Sequence, residues 1–126
     1  MELFQMPLPD LPFDPSYCLT NGVWRPAQSG ETLPLINPSD GTKLAQIARG
    51  SAEDIDAAIT SATNALEGDW GRTPALERGR IIARIGHLVL EQVDFLARLE
   101  ALDVGKPLKQ AKADAVALAR YMEFYG

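Results

Sequence analysis

One cysteine, one histidine and a carboxylate at the foot of a long helix are where this sequence of 126 residues could do chemistry. Cys18 sits among Tyr17, Leu19 and Thr20, in a stretch that reads as a strand. A thiol becomes nucleophilic when a base or a helix N-terminus lowers its pKa. The flanking sequence supplies neither, so Cys18 reads as an inert, packed side chain. His87 has no Cys, Asp or Glu at zinc-ligand spacing and reads as a surface or half-buried structural residue. Asp103 falls just before Val104-Gly105, at a helix end where carbonyls carry partial negative charge. A carboxylate is unfavourable there unless it hydrogen-bonds a neighbouring turn or meets a cation, and oxygen-rich spots of this kind suit hard cations. The ten glycines are isolated turn, cap or contact residues, and no G-x-G-x-x-G follows a strand, so no phosphate cradle can be read. Glu77, Arg78, Arg80, Arg84, Glu91, Asp94 and Arg98 form a solvated helical face with ion pairs at helical spacing.

The elements that position these residues follow from periodicity. Residues 1–16 form a proline-rich arm with Pro7, Pro9, Pro12 and Pro15, expected to be extended and irregular. Its Leu3, Phe4, Met6, Leu8, Leu11 and Phe13 imply that it packs on something. Tyr17 to Trp24, with Asn21-Gly22 inside, predicts a tight hairpin, since both central positions of a type I′ turn need φ > 0. Thr32 to Ile36 and Lys43 to Ala48 read as strands separated by the turn chemistry of Asn37-Pro38-Ser39-Asp40-Gly41.

At Ser51 the period becomes helical. Ser51 is an N-cap with Asp54 in the capping-box position, and Ile55, Ala58, Ile59, Ala62, Ala65 and Leu66 make one apolar stripe closed by Gly68. Trp70 lies in the connection, and Thr73-Pro74 are read as N-cap and first residue of the next helix. That helix is predicted to be long, with Ile81, Ile85, Leu88, Phe95, Leu99 and Leu102 on one face and Gly105-Lys106-Pro107 as its stop. Gly86 inside it costs roughly 1 kcal/mol relative to Ala, which calls for a close helix contact or a bend. A third helix starts near Pro107 and carries Leu108, Ala111, Ala115, Leu118, Met122 and Tyr125 on one face. The expectation is therefore short strands followed by three helices.

Composition narrows the class. Hydrophobic residues make up 46% and charged residues 23%, as in a globular domain. The net charge of −5 argues against nucleic acid and gives no support for an anionic membrane surface. A single cysteine builds no disulfide framework, residues 1–15 lack the pattern of a secretory signal, and no apolar run approaches the roughly 20 residues of a membrane span. A cytoplasmic protein without nucleic-acid or membrane partners is the expectation.

Several ordered segments carry a family likeness. They are Thr20-Asn21-Gly22-Val23-Trp24, Ile36-Asn37-Pro38, Glu53-Asp54-Ile55-Asp56-Ala57-Ala58, Trp70 before Glu77-Arg78-Gly79-Arg80, Leu99-Glu100-Ala101-Leu102-Asp103, Gly105-Lys106-Pro107, and Arg120-Tyr121 with Phe124-Tyr125-Gly126. Over 17–126 the sequence resembles the N-terminal region of the aldehyde dehydrogenase superfamily, with Val104 standing where Asn or Thr is more usual. The resemblance implies an α/β fold with a Rossmann-like cofactor domain, of which residues 17–126 are the incomplete N-terminal part. It implies NAD or NADP as cofactor and oxidation of an aldehyde to a carboxylic acid through a cysteine thiohemiacetal. The family's nucleophile, general base and cofactor contacts lie later in its chains, so no catalytic or cofactor-binding residue is carried over, and this segment alone is expected to be inactive. The family's structural Na⁺ or K⁺ site maps onto the carbonyls of Leu35 and Ile36 and the Asp103 side chain. The remainder of the enzyme is the implied partner, in a homo-oligomer (dimer or tetramer). Without it, three helices cannot cover Ile81, Ile85, Leu88, Leu118 and Met122, so self-association is expected. The other reading is a stand-alone helical interaction module that kept the sequence without the chemistry.

Overall fold

A computed structural model describes residues 7–126. Four strands come first: β1 (Tyr17–Thr20), β2 (Val23–Pro26), β3 (Thr32–Ile36) and β4 (Lys43–Ala48). Five helices follow: α1 (Ala52–Glu67), α2 (Asp69–Arg72), α3 (Ala75–Glu91), α4 (Val93–Val104) and α5 (Leu108–Tyr125). Among the described residues, no helix is long and apolar enough to cross a membrane.

The strands form two antiparallel pairs, β1 with β2 and β3 with β4. Asn21 and Gly22 have φ of 53° and 72°, the left-handed pair that the two-residue turn demands, so Thr20 faces Val23 across the ladder. The β3–β4 register shifts between Leu35 and Ile36. Pro34, which has no N–H to give, is tolerated in β3 because a two-stranded ribbon is all edge. The arm is irregular over 7–13, and Phe13 stacks on Trp24 with ring centroids 4.9 Å apart. Pro15 offers its carbonyl to the Ala48 amide at 3.1 Å. Leu3, Phe4 and Met6 lie outside the described residues.

Helix α1 starts as its sequence requires. Ser51 Oγ accepts from the Asp54 amide, and the Asp54 carboxylate accepts from the Ser51 amide at 2.8 Å, a complete capping box. Gly68 closes α1 with φ −88°, outside the left-handed region. Gly71 in α2 cannot be anything larger, since a Cβ there would fall 1.6 Å from the Leu66 carbonyl oxygen.

The three expected helices are five. The long stretch after Pro74 divides at Gln92, whose φ of −113° and ψ of 16° leave the helical well and whose N–H bonds the Val89 carbonyl, three residues back. The apolar face read from Ile81 to Leu102 therefore belongs to two helices. The connection around Trp70 winds into the single turn α2. Pro74, with no side-chain hydrogen bond, occupies the N-cap of α3 one residue later than read, and Arg78 Nη1 donates to the Thr73 carbonyl at 2.7 Å.

By its contacts the molecule divides into two units. One holds 10–36 and 43–72; the other holds 37–42, 73–126 and residues 7–9 of the arm. In the first, Ala27 is the one buried residue among those described, and Ile55, Ile59 and Leu66 on α1 are exposed. The second has a core of mostly small side chains: Ala97 and Ala101 of α4 and Ala111, Ala115 and Ala119 of α5, with the larger Leu102 of α4. Gly79 and Gly86 of α3 are also buried. Gly86 answers the alternative left by the sequence: it is a contact, since a Cβ there would lie 2.8 Å from the Ala119 carbonyl oxygen and 3.2 Å from Met122 Cβ.

That contact sets a prediction. Gly86→Ala gains up to about 1 kcal/mol of helix propensity, against about 1–3 kcal/mol for overpacking a close-packed contact. The net expectation is a lower Tm for Gly86→Ala in thermal denaturation followed by circular dichroism, whereas a rise would show that α3 and α5 can separate freely.

Candidate functional site

Helix α4 ends where the sequence placed its stop. Gly105 takes φ of +71°, and its N–H bonds the Ala101 carbonyl at 3.1 Å. The bare face of Gly105 lies against the 37–42 turn: a Cβ there would meet Pro38 Cγ at 3.1 Å. Any L side chain at this position would add backbone strain to that contact. The turn has its own internal bonding. Asn37, only 4% exposed, accepts from the Ser39 amide through Oδ1 at 2.9 Å and from the Gly41 amide through its carbonyl at 2.8 Å. Its own N–H donates to the Thr42 carbonyl at 2.8 Å. Asp40 Oδ1 accepts from Thr42 Oγ1 at 2.7 Å and from the Thr42 amide at 2.9 Å.

Lys106 fixes the corner between α4 and α5. Its Nζ donates to Glu100 Oε1 at 2.5 Å and to Asp114 Oδ2. These two hydrogen bonds, the one to Asp114 foremost, hold the Lys106 ammonium above its usual pKa. The sequence reading gave Glu100 no partner and missed this bridge; a lysine inside the helix stop, with carboxylates on both flanking helices, was the available signal. A further ion pair, Lys112 Nζ to Asp94 Oδ1 at 2.6 Å, joins the same two helices.

The candidate site residues are distributed as follows. Leu35 and Ile36 are adjacent in β3 at its register shift, Leu35 half-buried opposite Ala45 and Ile36 exposed opposite Lys43. Asp103 is exposed in the last turn of α4. Leu35 and Ile36 belong to the first unit and Asp103 to the second. Cys18 is half-buried in β1, across from Arg25. His87 is exposed, with Nδ1 3.1 Å from the Ala83 carbonyl and 3.7 Å from Glu123 Oε1. Among the described residues, no three His, Cys, Asp or Glu side chains cluster as metal ligands.

Carboxylates elsewhere act as caps. The Ser51 amide, opposed by slight desolvation, holds the Asp54 carboxyl below its ordinary range, and Asp54 also accepts from the Gln28 amide at 3.2 Å. Asp40 is likewise lowered, first by the Thr42 hydroxyl and then by its amide. A depressed carboxyl pKa contributes stability above the unfolded value and loses it as pH falls through the folded one. The Asp40 turn should therefore loosen on acidification below the ordinary carboxylate range. Hydrogen exchange at the Thr42 amide should accelerate there beyond the intrinsic pH effect, and Asp40→Asn should remove that extra pH dependence. An unchanged profile in the variant would contradict the assignment.

Comparison with known proteins gives a consistent result. The model of the aldehyde dehydrogenase family matches residues 24–126. The chain is 37% identical to hydroxyisobutyraldehyde dehydrogenase of Mycolicibacterium austroafricanum over 111 residues, covering 88% of this chain and 22% of that protein. Among solved structures, a point mutant of aldehyde dehydrogenase from Bacillus cereus superposes with a TM-score of 0.84 at 34% identity, covering 90% of this chain and 23% of the other. A point mutant of betaine aldehyde dehydrogenase from Staphylococcus aureus, solved in complex with NAD⁺, gives 0.87 at 29% identity and covers 94% and 24%. The chain thus spans between about a tenth and a quarter of the length of curated relatives such as these.

Proposed function

This chain belongs to the aldehyde dehydrogenase family, and we propose that it is the N-terminal segment of an NAD(P)-dependent enzyme that oxidises an aldehyde to a carboxylic acid. The observation that carries this is the unbroken family match over residues 24–126, together with helices and strands that superpose on solved members. On this reading, residues 1–16 are an arm and 17–126 the first part of the cofactor domain of a cytoplasmic homo-oligomer. The segment's task is architectural. It supplies outer strands and helices, while the nucleophilic thiol, the general base and the cofactor contacts come from other parts of the enzyme. Cys18 has no role in turnover. No observation favours the stand-alone interaction module.

A bound Na⁺ or K⁺ is part of the same reading, held by the Asp103 carboxylate and the carbonyls of Leu35 and Ile36. The donor chemistry supports it, since hard monovalent ions take oxygen ligands. So does the register shift at Leu35 and Ile36, which takes that backbone out of the regular ladder.

Exposed apolar surface supports the need for the remainder of the enzyme. At about 100° per residue, Ile81, Ile85 and Leu88 lie on the side of α3 opposite Gly79 and Gly86, the side that meets α5. Their exposures are 46%, 41% and 49%. Leu118 on α5 is also exposed and Met122 half-buried.

The full enzyme should reduce NAD⁺ or NADP⁺ with an aldehyde, followed as absorbance of the reduced nicotinamide; failure across aliphatic, aromatic and betaine-type aldehydes would overturn the activity. The purified 126-residue protein should give no such signal and should elute as an assembly in size-exclusion chromatography. A well-behaved monomer would count against the need for the remainder, and turnover lost in Cys18→Ala would restore a role for that thiol. For the ion, replacing choline by K⁺ or Na⁺ should raise the Tm of the full enzyme, and Asp103→Asn should abolish the rise. A rise retained in the variant would remove Asp103 from the ligand set.

A further inference from the structure

Four places in the sequence put an Asn side chain, or an Asp before Gly, next to a following peptide nitrogen: Asn21-Gly22, Asn37-Pro38, Asp40-Gly41 and Asn64-Ala65. When that nitrogen attacks the side-chain carbonyl carbon, a five-membered succinimide closes and the backbone rearranges. Three conditions govern the reaction: a nitrogen that carries a proton to lose, freedom of that nitrogen from other bonds, and room around the ring.

Asn37 fails the first condition, because proline has no N–H. Asn64 fails the second, because the Ala65 amide lies inside α1 and is committed to the helical ladder. Asp40-Gly41 fails twice. The Gly41 amide donates to the Asn37 carbonyl at 2.8 Å, and the Asp40 carboxylate is engaged by Thr42 and ionised, which makes it a poor electrophile. Asn21-Gly22 meets all three. Both residues are exposed, the Gly22 amide has no backbone partner among the described residues, and a Cβ at Gly22 would meet nothing within 4 Å.

We propose that the β1–β2 turn is a site of spontaneous modification, at which Asn21 converts through a succinimide to isoaspartate and aspartate. The Gly22 nitrogen loses its proton and bonds to Asn21 Cγ. The Cγ–Nδ2 bond breaks, and ammonia leaves with that proton. Water then opens the ring. Cleavage of the new Cγ–N bond gives aspartate, and cleavage of the original peptide bond between Asn21 and Gly22 gives isoaspartate. The only co-reactant is water, and no electrons change hands.

The consequence is local and directional. Isoaspartate adds one methylene to a two-residue loop whose geometry requires left-handed φ at both positions. The Thr20–Val23 and Leu19–Trp24 pairings next to the loop lose their register, and Trp24 is the residue on which Phe13 of the arm stacks. Ageing at Asn21 thus disturbs the seat of Phe13 on Trp24, and it adds a negative charge to an already acidic protein.

The test is incubation of the purified protein at mildly alkaline pH, with peptide mapping by mass spectrometry over days and fragmentation that distinguishes isoaspartate. Asn21 should gain about one dalton several-fold faster than Asn37 or Asn64, with isoaspartate among the products, and no isoaspartate should form at Asp40. A parallel sample in urea separates sequence from structure. In urea Asn64 should begin to react while Asn21 keeps its rate within a few-fold. An Asn21 that reacts in urea yet stays intact in the folded protein would mean that the turn protects it, and the proposal would fall. Gly22→Ala should slow the conversion at Asn21 in the urea sample, where strain in the turn has no bearing; an unchanged rate there would also overturn the proposed route.

Discussion

The helical unit depends on the near absence of side chains where α3 crosses α5. Gly86 lies so close to the Ala119 carbonyl that one methyl group would intrude, and Ala111, Ala115 and Ala119 are all buried along α5. Dispersion falls off steeply with distance, so backbones brought together over glycine and alanine gain many short contacts without long side chains. Rotamer entropy is no obstacle either, because alanine and glycine have none to lose on burial. Among the described residues, Leu102, 2% exposed, is the one large apolar side chain buried in this core.

Around that seam, the α4–α5 corner is held by backbone geometry first and charge second. Gly105 turns the backbone with a left-handed residue and offers Pro38 a flat surface. Lys106 then links Glu100 with Asp114 across the corner. Ion pairs still open to solvent contribute little individually, and Lys106 and Glu100 are only half-buried, so their service here is mainly to choose one geometry for a corner that the glycine has already made possible. The 37–42 turn works in the same manner, with Asn37 and Asp40 acting as local acceptors for amides that have no strand partner.

Much of this was legible in the sequence. Period-two and helical stretches gave the strand bounds at Thr32–Ile36 and Lys43–Ala48 and the start of α1 at its capping box, because local hydrogen bonds decide those features. The hairpin at Asn21-Gly22 followed from φ preference alone. The break at Gln92 was hidden, since a single non-helical residue leaves the apolar spacing on either side almost in step. The one-turn α2 was hidden for the opposite reason: four residues are too few to establish a period. The Lys106 bridge involves partners six and eight residues away, outside the i, i+3 and i, i+4 pairs that sequence patterns express. The proposed ion site at Asp103 came from the family likeness and not from any spacing, because a backbone carbonyl has no residue type to recognise.

Helix α3 is apolar on two opposed sides, one closed by α5 and the other open. In a longer polypeptide made from its N-terminus at roughly 5–20 residues per second, the seam can form as soon as α5 leaves the ribosome. The open side must then wait for whatever sequence covers it. During that interval the nascent polypeptide bears a shaped, sticky ridge of isoleucine and leucine beside charged flanks, the kind of surface that chaperones grip and that neighbouring nascent polypeptides can join. The order of synthesis therefore makes this segment both an early template for the fold and its first point of exposure to misassembly.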